Sequence, residues 1–189
     1  MNAADNNIPV GPDSIAVALV HYPVLNRLGE TSTTAITSMD VHDFARTCAF
    51  YDAGPVYLIH PAEGMHAMVR DICGYWQEGE GGARNPGRRE VLSHVRLLHS
   101  LQEVMQDAPY KLWYTSATPP QQGLRDIESL RDESGPHLIV FGTGSGLDAS
   151  KLPPANGWLR PIEGAGKVRH LSVRAALAIY MDRCSRPER

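Results

Sequence analysis

The chain has 189 residues, of which 42% are hydrophobic and 21% charged, with a formal net charge of −3. This is the profile of a globular domain with a well-buried core. It excludes a uniformly basic nucleic-acid binder but leaves room for a local basic patch, and no apolar run is long enough to cross a membrane.

Residues 1–12 are polar, include Asn6, Asn7, Pro9, Gly11 and Pro12, carry no signal peptide, and read as a flexible tail. Residues 13–189 read as a single domain. Ile15 to Tyr22 is a nearly continuous apolar run, the mark of a central parallel strand covered on both faces. It ends at Pro23, leaving His21 to Asn26 at the carboxyl edge, where open parallel sheets bind ligands; a packed strand-to-loop corner is the plainer reading. Asp40 is expected to cap a helix, with Phe44, Ala45, Cys48 and Ala49 on its apolar stripe and Arg46 and Thr47 off it. Gly54-Pro55 closes that helix, and Val56 to His60 is the next strand.

Pro61 opens a helix roughly 16 residues long, with Met65, Met68, Val69, Ile72, Cys73 and Trp76 as its core face. Gly79 to Arg89 is expected to be a polar loop. It gathers Arg84, Arg88 and Arg89, whose planar guanidinium groups suit RNA phosphates; an ordinary solvated loop accounts for it equally well. A short helix over Glu90 to Ser93 and a strand over Val95 to Leu98 follow. Ser100-Leu-Gln-Glu103 is a capping box, and Lys111 to Thr115 is a strand. Leu124 to Arg131 is a short amphipathic segment.

The last third carries the most specific pattern. His137-Leu-Ile-Val-Phe-Gly-Thr-Gly-Ser-Gly-Leu147 is a buried strand breaking into a glycine loop. Gly157 to Ile162 is a second strand stopped at Pro161, Glu163 to Arg169 a loop, and His170 to Asp182 an alanine-rich helix. Gly-x-Gly-x-Gly alone is weak, and both its spacing and its late position differ from the Rossmann fingerprint. The three cysteines (Cys48, Cys73 and Cys184) form neither a metal-ligand pattern nor a disulfide framework. No metal is therefore expected, and a reducing cytoplasmic setting is.

The order of these pieces, with Leu171-Ser-Val-Arg-Ala-Ala176 opening the last helix and Ala45-Arg-Thr47 on an early one, resembles the SPOUT superfamily of RNA methyltransferases. From Tyr22–Asn26 through Asn85–Glu90 to His170–Arg174 the chain is similar to the small prokaryotic branch related to the C-terminal knot domain of tRNA guanine-N1 methyltransferases. The resemblance implies an α/β fold, with a mainly parallel sheet, helices on both faces and a deep C-terminal trefoil knot that binds S-adenosylmethionine (SAM). It implies a homodimer with the active site at the interface and an RNA substrate, tRNA or rRNA.

The cofactor would lie among Thr115, Ser116 and Ala117; Gly142, Thr143, Gly144 and Gly146; Leu159, Pro161, Ile162 and Gly164; and His170, Leu171 and Ser172. Arg46, Arg174 and Ser172 are the catalytic candidates, and Arg46 also joins Arg84, Arg88 and Arg89 as an RNA contact. Asp40 and Glu163 are the candidate general bases. A helix cap alone accounts for Ser172, a structural role for His170 and a solvated face for Arg46. Two other functions compete: a non-catalytic knotted dimer that binds SAM or RNA, and a nucleotide-binding domain of Rossmann or flavodoxin type. The latter places its glycine loop after the first strand, where this chain has only Gly29.

Overall fold

The computed structural model describes residues 14–185; the expected tail lies outside them. The strands are β1 (Ile15–Val20), β2 (Val24–Leu25), β3 (Thr31–Ser32), β4 (Val56–Ile59), β5 (Val95–Leu98), β6 (Lys111–Tyr114), β7 (Leu124–Arg125), β8 (His137–Gly142) and β9 (Gly157–Leu159). The helices are α1 (Ser38–Phe50), α2 (Glu63–Gln77), α3 (Glu80–Arg84), α4 (Pro86–Leu92), α5 (Leu101–Asp107) and α6 (Val173–Ser185). Seven strands form one sheet in the order β5-β4-β1-β8-β6-β9-β7, and every pairing is parallel. The remaining two make an antiparallel hairpin, β2-β3.

Strand alternation divides the core between two faces. Val17, Leu19, Val56, Leu58, Ile139 and Phe141 point to the side covered by α1, α2 and α6. Ala16, Ala18, Val20, Tyr57, Ile59, Leu138 and Val140 point to the other, under α5 and the segment around Leu147 to Trp158. The apolar runs of β1 and β8 are continuous because both faces of these central strands are buried.

The helix boundaries correct several expectations. The cap of α1 is Thr37, not Asp40. Asp40 is the third residue of the helix and reaches back to the Thr37 N–H at 2.9 Å, completing a capping box. Helix α2 starts at Glu63, two residues after Pro61. The expected Gly79–Arg89 loop folds instead as α3 and α4: Asn85 caps α4 by accepting the Arg88 N–H, and Pro86 takes the first helical position. The helix expected at Glu90 therefore begins at Pro86. Leu124–Arg131, expected only as a short amphipathic segment, is the short strand β7 followed by a 3-10 turn over Ile127–Asp132. Strand β9 ends at Leu159, and α6 begins at Val173, three residues beyond His170. Arg131 anchors the far end of α6 by donating to the carbonyls of Arg183 and Cys184.

Candidate active site

The sheet's carboxyl edge opens on a cavity of about 680 Å³, within the size range of small-molecule sites. Its floor is the turn after β8. Thr143 and the glycines around it fold back so that Gly146 N–H donates to the Thr143 carbonyl at 3.0 Å, with Gly144 at φ +60° and Gly146 at φ +113°. Two of these glycines serve the chain itself. A Cβ on Gly142 would come 2.8 Å from the Leu147 nitrogen, and one on Gly144 would come 2.9 Å from the Leu25 carbonyl oxygen. A Cβ on Gly146 would meet nothing within 4 Å.

The β2-β3 hairpin props this turn from below. Leu25 N–H donates to Gly146 O and Ser145 N–H to Leu25 O, both at 2.8 Å. Thr31 Oγ1 donates to Asp148 at 2.6 Å, which helps hold that carboxyl below its ordinary pKa, after the larger effect of the Ser150 hydroxyl. His21 is buried, and its Nδ1 lies 3.0 Å from Thr34 Oγ1. Thr34 Oγ1 is 2.5 Å from Thr143 Oγ1, so a polar chain runs from the end of β1 to the cavity floor. Burial drives the His21 pKa down to about 4.

Two further loops and the start of α6 form the walls. Thr115, at the end of β6, is buried and donates its hydroxyl to the Val140 carbonyl at 2.9 Å. Ser116 Oγ accepts the Thr118 N–H. Ser172 caps α6 by accepting the Ala175 N–H at 3.3 Å. Ile162, Leu171 and Ala176 supply apolar wall, and Tyr180 closes the back.

The expected cofactor residues thus gather in one place, with three exceptions. Thr115, Ser116, Ala117, Gly142, Thr143, Gly144, Gly146, Ile162, His170, Leu171 and Ser172 all line the cavity. Leu159 does not, because it is fully buried in the core beneath it; Pro161 and Gly164 also lie outside the lining. Arg27 and Arg169 line the mouth, although neither was expected. Arg27 sits in the hairpin turn, which Asn26 shapes by accepting the Leu28 and Glu30 N–H groups. That Asx turn followed by Gly29 was the available sequence signal.

The expected arginines lie elsewhere. Arg174 stands in the first turn of α6, where it pairs with Asp40 at 3.4 Å and Asp43 at 3.2 Å and so ties α6 to α1. Asp40 is nearly buried and also accepts both the N–H and the hydroxyl of Thr37. These donors commit its carboxylate to structure. Arg46 is exposed on α1. Arg88 lies over the Trp76 ring at 4.4 Å, and Arg84 forms an exposed pair with Glu80 at 2.8 Å. Arg46 and Arg88 share a neighbourhood: after burial, the charges of Arg88 and then Arg46 lower the pKa of His42. Arg89 is exposed on α4. Among the described residues, no helix is long and apolar enough to cross a membrane.

Comparison with known proteins fits this geometry. An uncharacterized protein of Aquifex aeolicus (strain VF5) is 35% identical over 182 residues, covering 90% of this chain and 88% of its own. A tRNA (guanine-N(1)-)-methyltransferase of Nitratidesulfovibrio vulgaris is 32% identical over 173 residues, which is 88% of this chain but only 40% of that enzyme. The SpoU methyltransferase AviRb from Streptomyces viridochromogenes, solved with AdoMet, shares the fold. Its TM-score is 0.61 at 16% identity, covering 98% of this chain and 62% of that one. The A. aeolicus TrmH/SpoU tRNA modifying enzyme gives a TM-score of 0.57 at 12% identity, covering 95% and 78%. The SAM-dependent RNA methyltransferase family model matches residues 14–186. The chain therefore belongs to the SAM-dependent RNA methyltransferases, built on the SpoU/TrmH fold.

Proposed function

We propose that the cavity at the carboxyl edge is the SAM site of an enzyme that methylates tRNA or rRNA. The observation that carries this reading is the convergence of three loops, from Thr115, Gly142 and Ile162, with the Ser172 cap around one cavity. The residues suit the cofactor. Main-chain groups of the Thr115–Ala117 and Gly142–Gly146 turns offer hydrogen bonds to an adenosine-like group, and Ile162, Leu171 and Ala176 offer apolar cover. The open space beside Gly146 leaves room for a ligand against the backbone.

When bound, SAM would supply an electrophilic methyl group for a nitrogen or oxygen of the RNA. The chain's task is to fix the attack line and exclude competing water. An acceptor that carries a proton must release it. Because Asp40 is committed to Thr37 and Arg174, the exposed Glu163 beside Ile162 is the remaining acid of the two candidates. Arg46 contacts RNA, with Arg84 on α3 and Arg88 and Arg89 on α4 extending the basic surface. The Asp40–Arg174–Asp43 bridge holds the start of α6, and hence Ser172, in place.

This reading includes the trefoil knot, a single domain and a cytoplasmic enzyme. It also includes a homodimer in which Arg46 of one protomer serves the cavity of its partner. Support for the dimer comes from the exposed Val168 and Leu171, and from the half-buried Val173, Ala176 and Ile179 on α6.

The test is calorimetry with SAM and its demethylated product, which should bind with micromolar affinity, about −8 kcal/mol. It is paired with mass spectrometry of nucleosides from cells with and without the gene. Heat with NAD or FMN but none with SAM would overturn the site assignment. An unchanged nucleoside profile with SAM binding intact would overturn the RNA substrate.

A further inference from the structure

The half of the sheet edge away from the cavity carries a second cluster. Strands β1, β4 and β5 are aligned so that Val20, Ile59 and Leu98 stand side by side. Each is followed by a histidine: His21, His60 and His99. His99 faces the first turn of α2, where Glu63 and His66 stand three positions apart and so share one helix face. One ligand atom from each of Glu63, His66 and His99 lies within 4.8 Å of the others. We propose that these three residues form a binding site for a first-row divalent transition ion of the Zn(II) type.

The donor set and its surroundings carry the inference. Two imidazoles and one carboxylate are a common ligand set for such ions, and three protein ligands leave one position open for water or a phosphate oxygen. A metal-bound imidazole is normally oriented by a hydrogen bond from its other nitrogen. His66 is buried, and its Nε2 lies 2.6 Å from the His60 carbonyl. That carbonyl can only accept, so Nε2 carries the proton and Nδ1 is left with the lone pair. His99 has a corresponding neighbour: Glu103 Oε2 is 3.7 Å from its Nδ1 and also accepts the His99 N–H.

His99 Nε2 meets Glu63 Oε1 at 2.7 Å. An ion replaces the proton between them. The three donors must then settle at the ~3.3 Å spacing of a tetrahedral site, which opens the 2.7 Å Glu63–His99 contact, and the His99 ring must turn out of its 4.2 Å stack on His66. Glu63 and His99 are both exposed and free to make that adjustment. Arg70 uses the other Glu63 oxygen, at 3.4 Å.

The spacing of the ligands, two on one helix and the third at the end of the next strand, explains why the cysteine pattern did not reveal the cluster. The test is titration of the full chain with Zn(II) by calorimetry, and with Co(II) by visible absorption. One ion per chain, micromolar or tighter, with the intense d–d bands of four-coordinate Co(II), is expected. Glu63→Gln and His99→Gln should each weaken binding at least tenfold. Glu78→Gln, beyond the other end of α2, should leave it unchanged. Absence of stoichiometric binding would reduce the cluster to a surface ion pair and overturn the proposal. So would affinity unchanged in both cluster variants, or a sulfur-to-Co(II) charge-transfer band pointing to a cysteine. SAM calorimetry on the same variants should match the parent chain, which separates loss of the ion site from any failure of the methyltransferase reading.

Discussion

One sheet edge carries two kinds of chemistry. Where β8 and β6 end, the Gly142–Gly146 and Thr115–Ala117 turns line a cavity. Where β1, β4 and β5 end, an imidazole follows each strand. The strand geometry is the same in both halves, so the register does not decide the difference. The residues past each strand do. Thr143 and Thr115 follow β8 and β6, and Gly144 and Gly146, both at positive φ, let the first of these turns fold back and leave a hollow, whereas the three histidines fill their half of the edge with titratable nitrogen.

The largest expected effect strikes the backbone half. Gly142→Val places carbon where the Leu147 nitrogen and side chain already sit. SAM affinity should fall more than a hundredfold, about 3 kcal/mol, with a loss of folding stability visible in urea denaturation. Normal SAM binding by this variant would break the view that the cavity depends on a backbone-fitted turn.

Next comes Arg46→Ala. With an RNA substrate in hand, methyl transfer should drop by two orders of magnitude, about 3 kcal/mol of transition-state stabilisation. SAM affinity should stay within about twofold, because the cavity residues lie on other elements. Arg46→Lys should recover little, since an ammonium lacks the planar fork. Near-normal turnover in Arg46→Ala would return this residue to a solvated face.

The smallest effect belongs to the histidine half. The folded chain holds His21 near a pKa of about 4, against 6.5 for the free side chain. Between those values the unfolded chain binds the proton and the folded chain does not, so this contribution to stability is complete above pH 6.5 and is lost on acidification. Between pH 7 and pH 5 the loss should be about 2 kcal/mol. Urea unfolding at both pH values should show it, and His21→Leu should flatten the slope. An equal slope in the variant would place the acid sensitivity elsewhere.

Much of the scaffold was legible in the sequence because its signals are local. The apolar runs of β1, β4 and β8, the stripe through Phe44, Ala45 and Cys48, and the Ser100 cap each announce themselves within a few residues, although Glu103 accepts the His99 N–H and not that of Ser100 and so leaves the expected capping box half formed. The misplaced pieces were of two kinds. Some had readable signals that were passed over: Thr37-Ser-Met-Asp40 is itself a capping box, and Asn85-Pro86 is a cap followed by a first-turn proline.

Others depend on partners far along the chain. Residues 81 and 82 fell within the expected polar loop, yet α3 needs glycine there because it lies so close on α2 that a Cβ on Gly82 would run into the Trp76 carbonyl. The β2-β3 hairpin is only two residues deep on each side, and Val24 and Leu25 gain their place by meeting residues 144–147. Leu159 belongs to a motif that resembles a cofactor loop, but burial put its side chain beneath the cavity instead of in it.

The pairing of β1 with β8 has a consequence for how the chain comes to be folded at all. Thr143 meets the Val20 carbonyl across 123 positions, and Thr31 meets Asp148 across 117. Contacts so distant in sequence slow folding, because a long loop must close before they form. As the ribosome releases the protein from its N-terminus, β4 emerges early enough to pair with one side of β1. The other side of this wholly apolar strand must wait for residues 137–142. Throughout that interval the nascent protein carries a naked strand edge, the kind of surface that pairs with the wrong neighbour.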